Sequence, residues 1–216
     1  MSLGDKTMDT LFEKYIETHG FVASVDSMAA MIEDSLSADF DLEPNPLQAI
    51  AVVVYTATRL GDTRPLSRMA AEALRYADSA HSWQDSFRLH YALAAAGEEP
   101  LDGMYSYLQQ EGEYSFKAAI RIASLAYFKH DERLLYACLA AMRSSLNEQA
   151  ILEPDQEWEL DYAEAMYSTL KCGRADLVSL CRTASRVGDS YYLPFVSTDV
   201  NILQRSVGRK TPKEPS

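Results

Sequence analysis

The sequence predicts an all-α fold made of consecutive helical hairpins. Apolar residues recur at the three- and four-residue intervals of an α-helix, and short glycine-containing turns divide the chain into paired segments. The longest uninterrupted apolar run, from Ala49 to Tyr55, falls well short of the roughly 20 residues that cross a bilayer. Hydrophobic residues make up 47% of the chain and charged residues 24%, the balance of an ordinary folded domain. We therefore expect a folded helical protein that does not span a membrane.

The turns between paired helices share one pattern. Glycine stands at the centre of three of the four turns, where a residue in the left-handed conformation commonly ends a helix. His130 takes this place in the third turn, at an expected conformational cost. The turns read Leu60-Gly61-Asp62, Ala96-Gly97-Glu98, Lys129-His130-Asp131 and Cys172-Gly173-Arg174.

The helices that follow these turns are predicted to bury one face each. After each turn a leucine begins a set of positions at offsets of 3, 4 and 7 residues, which lie on one side of an α-helix. Every position in the sets is apolar, small or aromatic. The sets are Leu66, Met69, Ala70 and Ala73; Leu101, Met104, Tyr105 and Leu108; Leu134, Ala137, Cys138 and Ala141; and Leu177, Leu180, Cys181 and Ala184.

Proline and serine mark the expected helix starts. Proline is favoured in a first turn, where its missing N–H costs nothing, and a serine hydroxyl can accept a hydrogen bond from the first free backbone N–H groups. The markers are Pro46, Pro65, Ser82 and Ser115, together with Asp155 and Gln156 before a helix that begins near Trp158.

These signals divide the chain into four parts. Residues 1–45 are expected to form an acidic helical hairpin and a linker, and residues 46–190 to form four further hairpins. Residues 191–207 contain a proline, and we expect them to end in a short capping helix. Residues 208–216 are polar and rich in proline and lysine, and we expect this tail to be disordered.

The hairpin pattern resembles the tetratricopeptide repeat family over about residues 46 to 188. Leu101, Tyr105 and Leu108, which follow Gly97, are similar to the apolar signature of that family's second helix. The tryptophan and glycine usual in the family's first helix are absent, and so is the proline that closes each repeat. The resemblance implies a right-handed α–α superhelix of about five helical hairpins.

The resemblance also implies a function and a binding surface. Proteins of this family are interaction scaffolds or adaptors, some of them chaperone-like, and their first helices line a concave groove that holds a peptide or a partner helix. The groove positions correspond here to Tyr55, Tyr91, Tyr127 and Tyr167. Tyrosine offers contact area and a hydroxyl at low entropic cost. The alternative is that these rings pack between neighbouring helices, as buried tyrosines often do.

The charge of the chain limits its partners. The formal net charge is −12, and in residues 1–45 acidic side chains far outnumber Lys6 and Lys14. A nucleic-acid surface needs cations to displace phosphate counterions, so we expect no nucleic-acid partner. The charge favours a basic protein partner, or serves solubility alone.

The sequence predicts no metal, cofactor or disulfide framework. The three cysteines, Cys138, Cys172 and Cys181, lack the paired short spacings of a zinc site, and the histidines form no ligand pair. Free thiols fit the cytoplasm. Cys138 and Cys181 fall on predicted buried faces, whereas Cys172 precedes a turn and is the one thiol expected to be reactive.

Other functions remain open at this point. Arg64, Arg68 and Arg75 form one helical stripe that could receive an acidic partner, although a solvated face with Glu72 as neighbour is the simpler interpretation. No acidic pair stands beside a histidine at catalytic spacing, so we expect a binding protein rather than an enzyme. The alternatives are an all-α enzyme with a pocket between hairpins and a structural subunit that forms a homodimer.

Overall fold

A computed structural model describes residues 46–109, 113–147 and 154–173, together with Ala29, Ala30 and Leu203. All regular secondary structure within these residues is helical, and they contain no strand. The all-α prediction is therefore confirmed for the described part of the chain. The chain divides into two compact units, Met1–Met104 and Tyr105–Ser216.

The described helices of the first unit form a three-helix group. Helix α1 spans Pro46–Leu60, α2 spans Leu66–Leu74 and α3 spans Trp83–Ala96, with a short 3₁₀ turn at Ala77–Ser79 between the last two. Each of the three α-helices packs against the other two. Their shared core is apolar and includes Leu47, Ile50, Val53, Met69, Phe87 and Tyr91.

The second unit repeats this arrangement. Helix α4 spans Glu113–Phe128, α5 spans Glu132–Asn147 and α6 spans Pro154–Cys172. Helices α4 and α5 form an antiparallel hairpin, and α6 packs against both. The buried side chains at the centre include Ile122, Leu125, Leu134, Leu135, Met142 and Trp158.

The segment after α3 departs from the prediction. Leu101–Gln109 is a 3₁₀ helix, and of its predicted face only Met104 is buried. A 3₁₀ helix has about three residues per turn, so offsets of 4 and 7 residues no longer fall on one side. The prediction of a helix from Leu101 is therefore confirmed, and the prediction that it is an α-helix is wrong.

The predicted face is fully buried in α2 and partly buried in α5. In α2 all the predicted positions are buried. In α5 Leu134 and Cys138 are buried, whereas Ala137 and Ala141 are partly exposed. The last set, which begins at Leu177, lies outside the described residues.

The turn prediction is confirmed at each of its central positions. Gly61, Gly97 and Gly173 have φ angles of 71°, 88° and 67°, and His130 has a φ of 59°. The His130 N–H donates to the Tyr127 carbonyl at 3.1 Å, and the Asp131 N–H donates to the Ala126 carbonyl at 2.8 Å. This pair of bonds is the Schellman motif that satisfies the last carbonyls of a helix. Gly61 and Gly97 make the same pair of bonds.

We expect His130→Gly to stabilise the protein by about 1 kcal/mol, because glycine adopts the left-handed conformation without the steric cost that histidine pays. The His130 side chain is exposed, so little packing is lost. Urea unfolding measures the change. The matched control is Gly61→Ala, where an added Cβ would meet nothing within 4 Å, so that only the φ of 71° opposes it. That variant should be destabilised; a destabilised His130→Gly would contradict the argument.

Most helix starts follow the sequence markers. Pro46 is the first residue of α1, and Pro65 immediately precedes α2. Ser82 caps α3, since its hydroxyl accepts the Asp85 N–H at 3.0 Å. A cap that was not predicted is Asp131, whose carboxylate accepts the Leu134 N–H at 2.9 Å at the start of α5.

Two start markers need correction. Ser115 is not a cap, because α4 begins at Glu113 and Ser115 is buried within the first turn, where its hydroxyl accepts a bond from Ser145 at 3.4 Å. Helix α6 begins at Pro154, ahead of Trp158, because proline suits the first turn of a helix.

The chain boundaries are described only in part. Helix α1 begins at Pro46, the residue at which the predicted array of hairpins begins. The predicted parts 1–45, 191–207 and 208–216 lie outside the described residues, apart from the helical Ala29, Ala30 and Leu203. No helix in the described ranges is long and apolar enough to span a membrane.

Candidate interaction surface

Tyr91 belongs to the core of the first unit. Its side chain is 0% exposed, and its hydroxyl lies 3.0 Å from the Thr58 hydroxyl on α1. The Thr58 hydroxyl donates its hydrogen bond to the Tyr55 carbonyl at 3.0 Å, so the Tyr91 hydroxyl is the donor in its bond to Thr58. The ring of Tyr91 packs on that of Phe87, with centroids 5.6 Å apart. Tyr91 is therefore too buried to be one of the predicted binding positions, and it packs between helices as the alternative expects.

Tyr55 lies one helical turn before Arg59 on α1 and is partly exposed. The Arg59 guanidinium lies 5.5 Å from the centroid of the Tyr55 ring and also donates a hydrogen bond to its hydroxyl. Arg59 itself is buried. The cation on this ring and the occupied hydroxyl hold Tyr55 in place within the first unit.

Tyr127 and Tyr167 lie on α4 and α6 of the second unit, and both are partly exposed. The aromatic neighbour of Tyr167 is Tyr136 on α5, with ring centroids 5.7 Å apart and planes inclined by 44°. Tyr136 is 58% exposed and was not among the predicted positions. The binding role of Tyr55, Tyr127 and Tyr167 stays a prediction.

Lys171 completes the cluster around Tyr167. Its ammonium lies 5.2 Å from the centre of the Tyr167 ring and donates to the Tyr167 hydroxyl at 3.2 Å. That hydrogen bond raises the pKa of Lys171, and the carboxylate of Glu132 adds to the effect. We name Tyr136, Tyr167 and Lys171 the tyrosine–lysine surface.

One ion pair joins α5 to α6 near this surface. Arg143 donates to Glu164 at 2.7 Å, and both side chains are exposed. An exposed pair of this kind contributes little to stability. The pair does place a cation, Arg143, on the carboxylate of Glu164, which lies one helical turn before Tyr167.

The three arginines in and next to α2 are all exposed. Arg64 pairs with Asp62 at 2.6 Å, and this hydrogen bond lowers the pKa of Asp62. Arg75 pairs with Glu72 at 3.0 Å, as the simpler interpretation of the sequence expected. Arg68 is exposed between them.

The thiols and histidines in the part of the chain that the structure describes differ in burial and in their partners. Cys138 is 0% exposed, and burial raises the pKa of its thiol. Cys172 is exposed at the end of α6, and Cys181 lies outside the described residues. His90 Nδ1 lies 2.8 Å from Glu99 across the turn after α3. No three His, Cys, Asp or Glu side chains within the described ranges come together to hold a metal ion.

Comparison of the chain with protein-family models, with curated proteins and with solved structures finds no match.

Proposed function

We propose that this chain is a protein–protein interaction scaffold or adaptor that binds a peptide or a partner helix. The observation that supports it is the order of packing inside each unit. Helix α1 contacts its hairpin partner α2 and the next first helix, α3, and α4 contacts α5 and α6 in the same way. Hairpins that pack on their neighbours bury their inner faces and leave outer faces for partners.

An aromatic outer face in the second unit favours the same proposal. Tyrosine is enriched where proteins meet partners, because its ring supplies area and its hydroxyl supplies a hydrogen bond. Tyr136 and Tyr167 offer both on adjacent helices. A reducing cytoplasm is the proposed compartment, since Cys138 and Cys172 are free thiols.

Capture from a native cell lysate, followed by mass spectrometry and by calorimetry with the purified partner, tests the proposal. We expect a protein that the parent retains and that binds it directly. The same preparation is assayed for a co-purified small molecule and for its turnover. A bound substrate with no protein partner would instead favour the all-α enzyme that the sequence left open, and a stable dimer by light scattering would favour the structural subunit.

A further inference from the structure

The tyrosine–lysine surface has the composition of a binding site for a segment that carries both an apolar and a polar group. Tyr136 is 58% exposed, and its ring lies against that of Tyr167 on the neighbouring helix, with the two planes inclined by 44°. Lys171 lies on the same face of α6, one turn after Tyr167. Two helices that pack against each other therefore hold two rings and an ammonium group at one exposed place.

The hydrogen bonds of this surface leave donors facing outward. An ammonium group only donates, so the Tyr167 oxygen accepts a hydrogen bond from Lys171. The O–H of Tyr167 therefore points elsewhere. Lys171 has two further N–H groups. The Tyr136 hydroxyl has no hydrogen-bond partner among the described residues. A partner that satisfies these groups must supply acceptors.

The charges of the surface also select an anionic partner. Arg133 lies three residues before Tyr136 on the exposed face of α5 and adds a second cation. Arg143 balances the charge of Glu164, and the carboxylate of Glu132, near enough to raise the pKa of Lys171, offsets one of the two cations and leaves one in excess. The Tyr167 ring already carries the ammonium of Lys171, so a cation from a partner would meet a like charge there.

We propose, on the basis of the interaction role above, that Tyr136, Tyr167 and Lys171 bind an acidic peptide segment of a partner protein, one that places a carboxylate on Lys171 and an apolar side chain on the tyrosine rings. The apolar side chain covers the exposed part of Tyr136, and the carboxylate accepts from Lys171 and the tyrosine hydroxyls. This replaces the basic partner that the net charge of −12 favoured. Charges more than about 8 Å away are largely screened at physiological salt, so the contacts at the surface decide the preference.

Selection of random short peptides displayed on phage, with the full chain as bait, tests this assignment. We expect the selected peptides to be enriched in Asp or Glu next to a large apolar residue. A synthetic copy of one peptide should bind Tyr136→Ala and Lys171→Glu about tenfold more weakly than the parent by fluorescence anisotropy. Selection on Lys171→Glu should move the enrichment from acidic to basic peptides.

Lys129→Glu is the matched control, because Lys129 also lies over an aromatic ring, that of Phe128, at 5.5 Å. It should bind the selected peptide as the parent does, and circular dichroism should show every variant folded. Basic peptides selected on the parent would overturn the assignment, and so would a peptide that binds the parent and the variants equally. The scaffold role would still stand in either case if the lysate yielded a protein partner. A dimer that Tyr136→Ala dissociates would assign the surface to a second copy of the chain. No peptide and no lysate partner would overturn both.

Discussion

Replacing Tyr91 by alanine is expected to lower the free energy of unfolding by about 3–5 kcal/mol, the range for truncating a buried aromatic side chain. The ring is fully buried, packs on Phe87 and gives its hydroxyl proton to Thr58. The substitution leaves a cavity between α1 and α3 and removes the partner of a buried hydroxyl. Urea unfolding, or the loss of the near-ultraviolet dichroism of the packed rings, measures the effect.

Two controls separate packing from surface contact. Tyr91→Phe keeps the ring and removes only the hydrogen bond, so it should cost about 1 kcal/mol. Tyr167→Ala removes a partly exposed ring and should cost much less than Tyr91→Ala. If Tyr91→Ala unfolded at the same urea concentration as the parent, the buried position of the ring would be wrong.

Tyr91→Ala and Tyr167→Ala together distinguish partner binding lost through unfolding from partner binding lost through a missing surface contact. A Tyr91→Ala protein should bind less only in proportion to the fraction that is unfolded. A Tyr167→Ala protein should remain folded and bind less at every temperature below the transition. Binding lost by Tyr91→Ala under conditions where it is fully folded would return this position to the interaction surface.

Turns and helix starts could be predicted because they depend on a few neighbouring residues. The left-handed conformation at Gly61 and His130 follows from the turn motif alone, and so does the cap at Ser82. The type of the helix that follows Gly97 could not be predicted in this way. Its apolar positions fit an α-helix, yet the segment from Leu101 is a 3₁₀ helix, and the difference depends on how the whole segment packs.

The candidate surface was harder to predict than the fold. Counting back from a turn places Tyr91 and Tyr167 at equivalent positions, although one is buried and the other is partly exposed. First helices in stacked hairpins contact elements on more than one side, so a position in the repeat does not determine exposure. Tyr136 was not among the predicted positions because it lies on α5, the second helix of its hairpin, whereas the predicted groove is lined by first helices. Its signal was a large aromatic residue two positions after Leu134, which places it off the buried face of α5.

Replacing Leu134 by alanine is expected to destabilise the second unit by about 2–5 kcal/mol, the cost of a cavity left by a buried leucine. Leu134 is 0% exposed in the first turn of α5, which packs against both α4 and α6. Its N–H is held by the Asp131 cap, so the backbone is fixed and the site cannot easily collapse around the smaller side chain.

The matched control for Leu134 is the same substitution at Leu74, which is 54% exposed at the end of α2. Leu74→Ala should change the free energy of unfolding by less than about 0.5 kcal/mol, as surface substitutions usually do. Leu101→Ala should fall between the two, because Leu101 is half-buried in the 3₁₀ helix. Chemical unfolding of the three variants orders them directly. A Leu134 variant as stable as the Leu74 variant would mean that the face shared by Leu134 and Cys138 is not the packing face of α5.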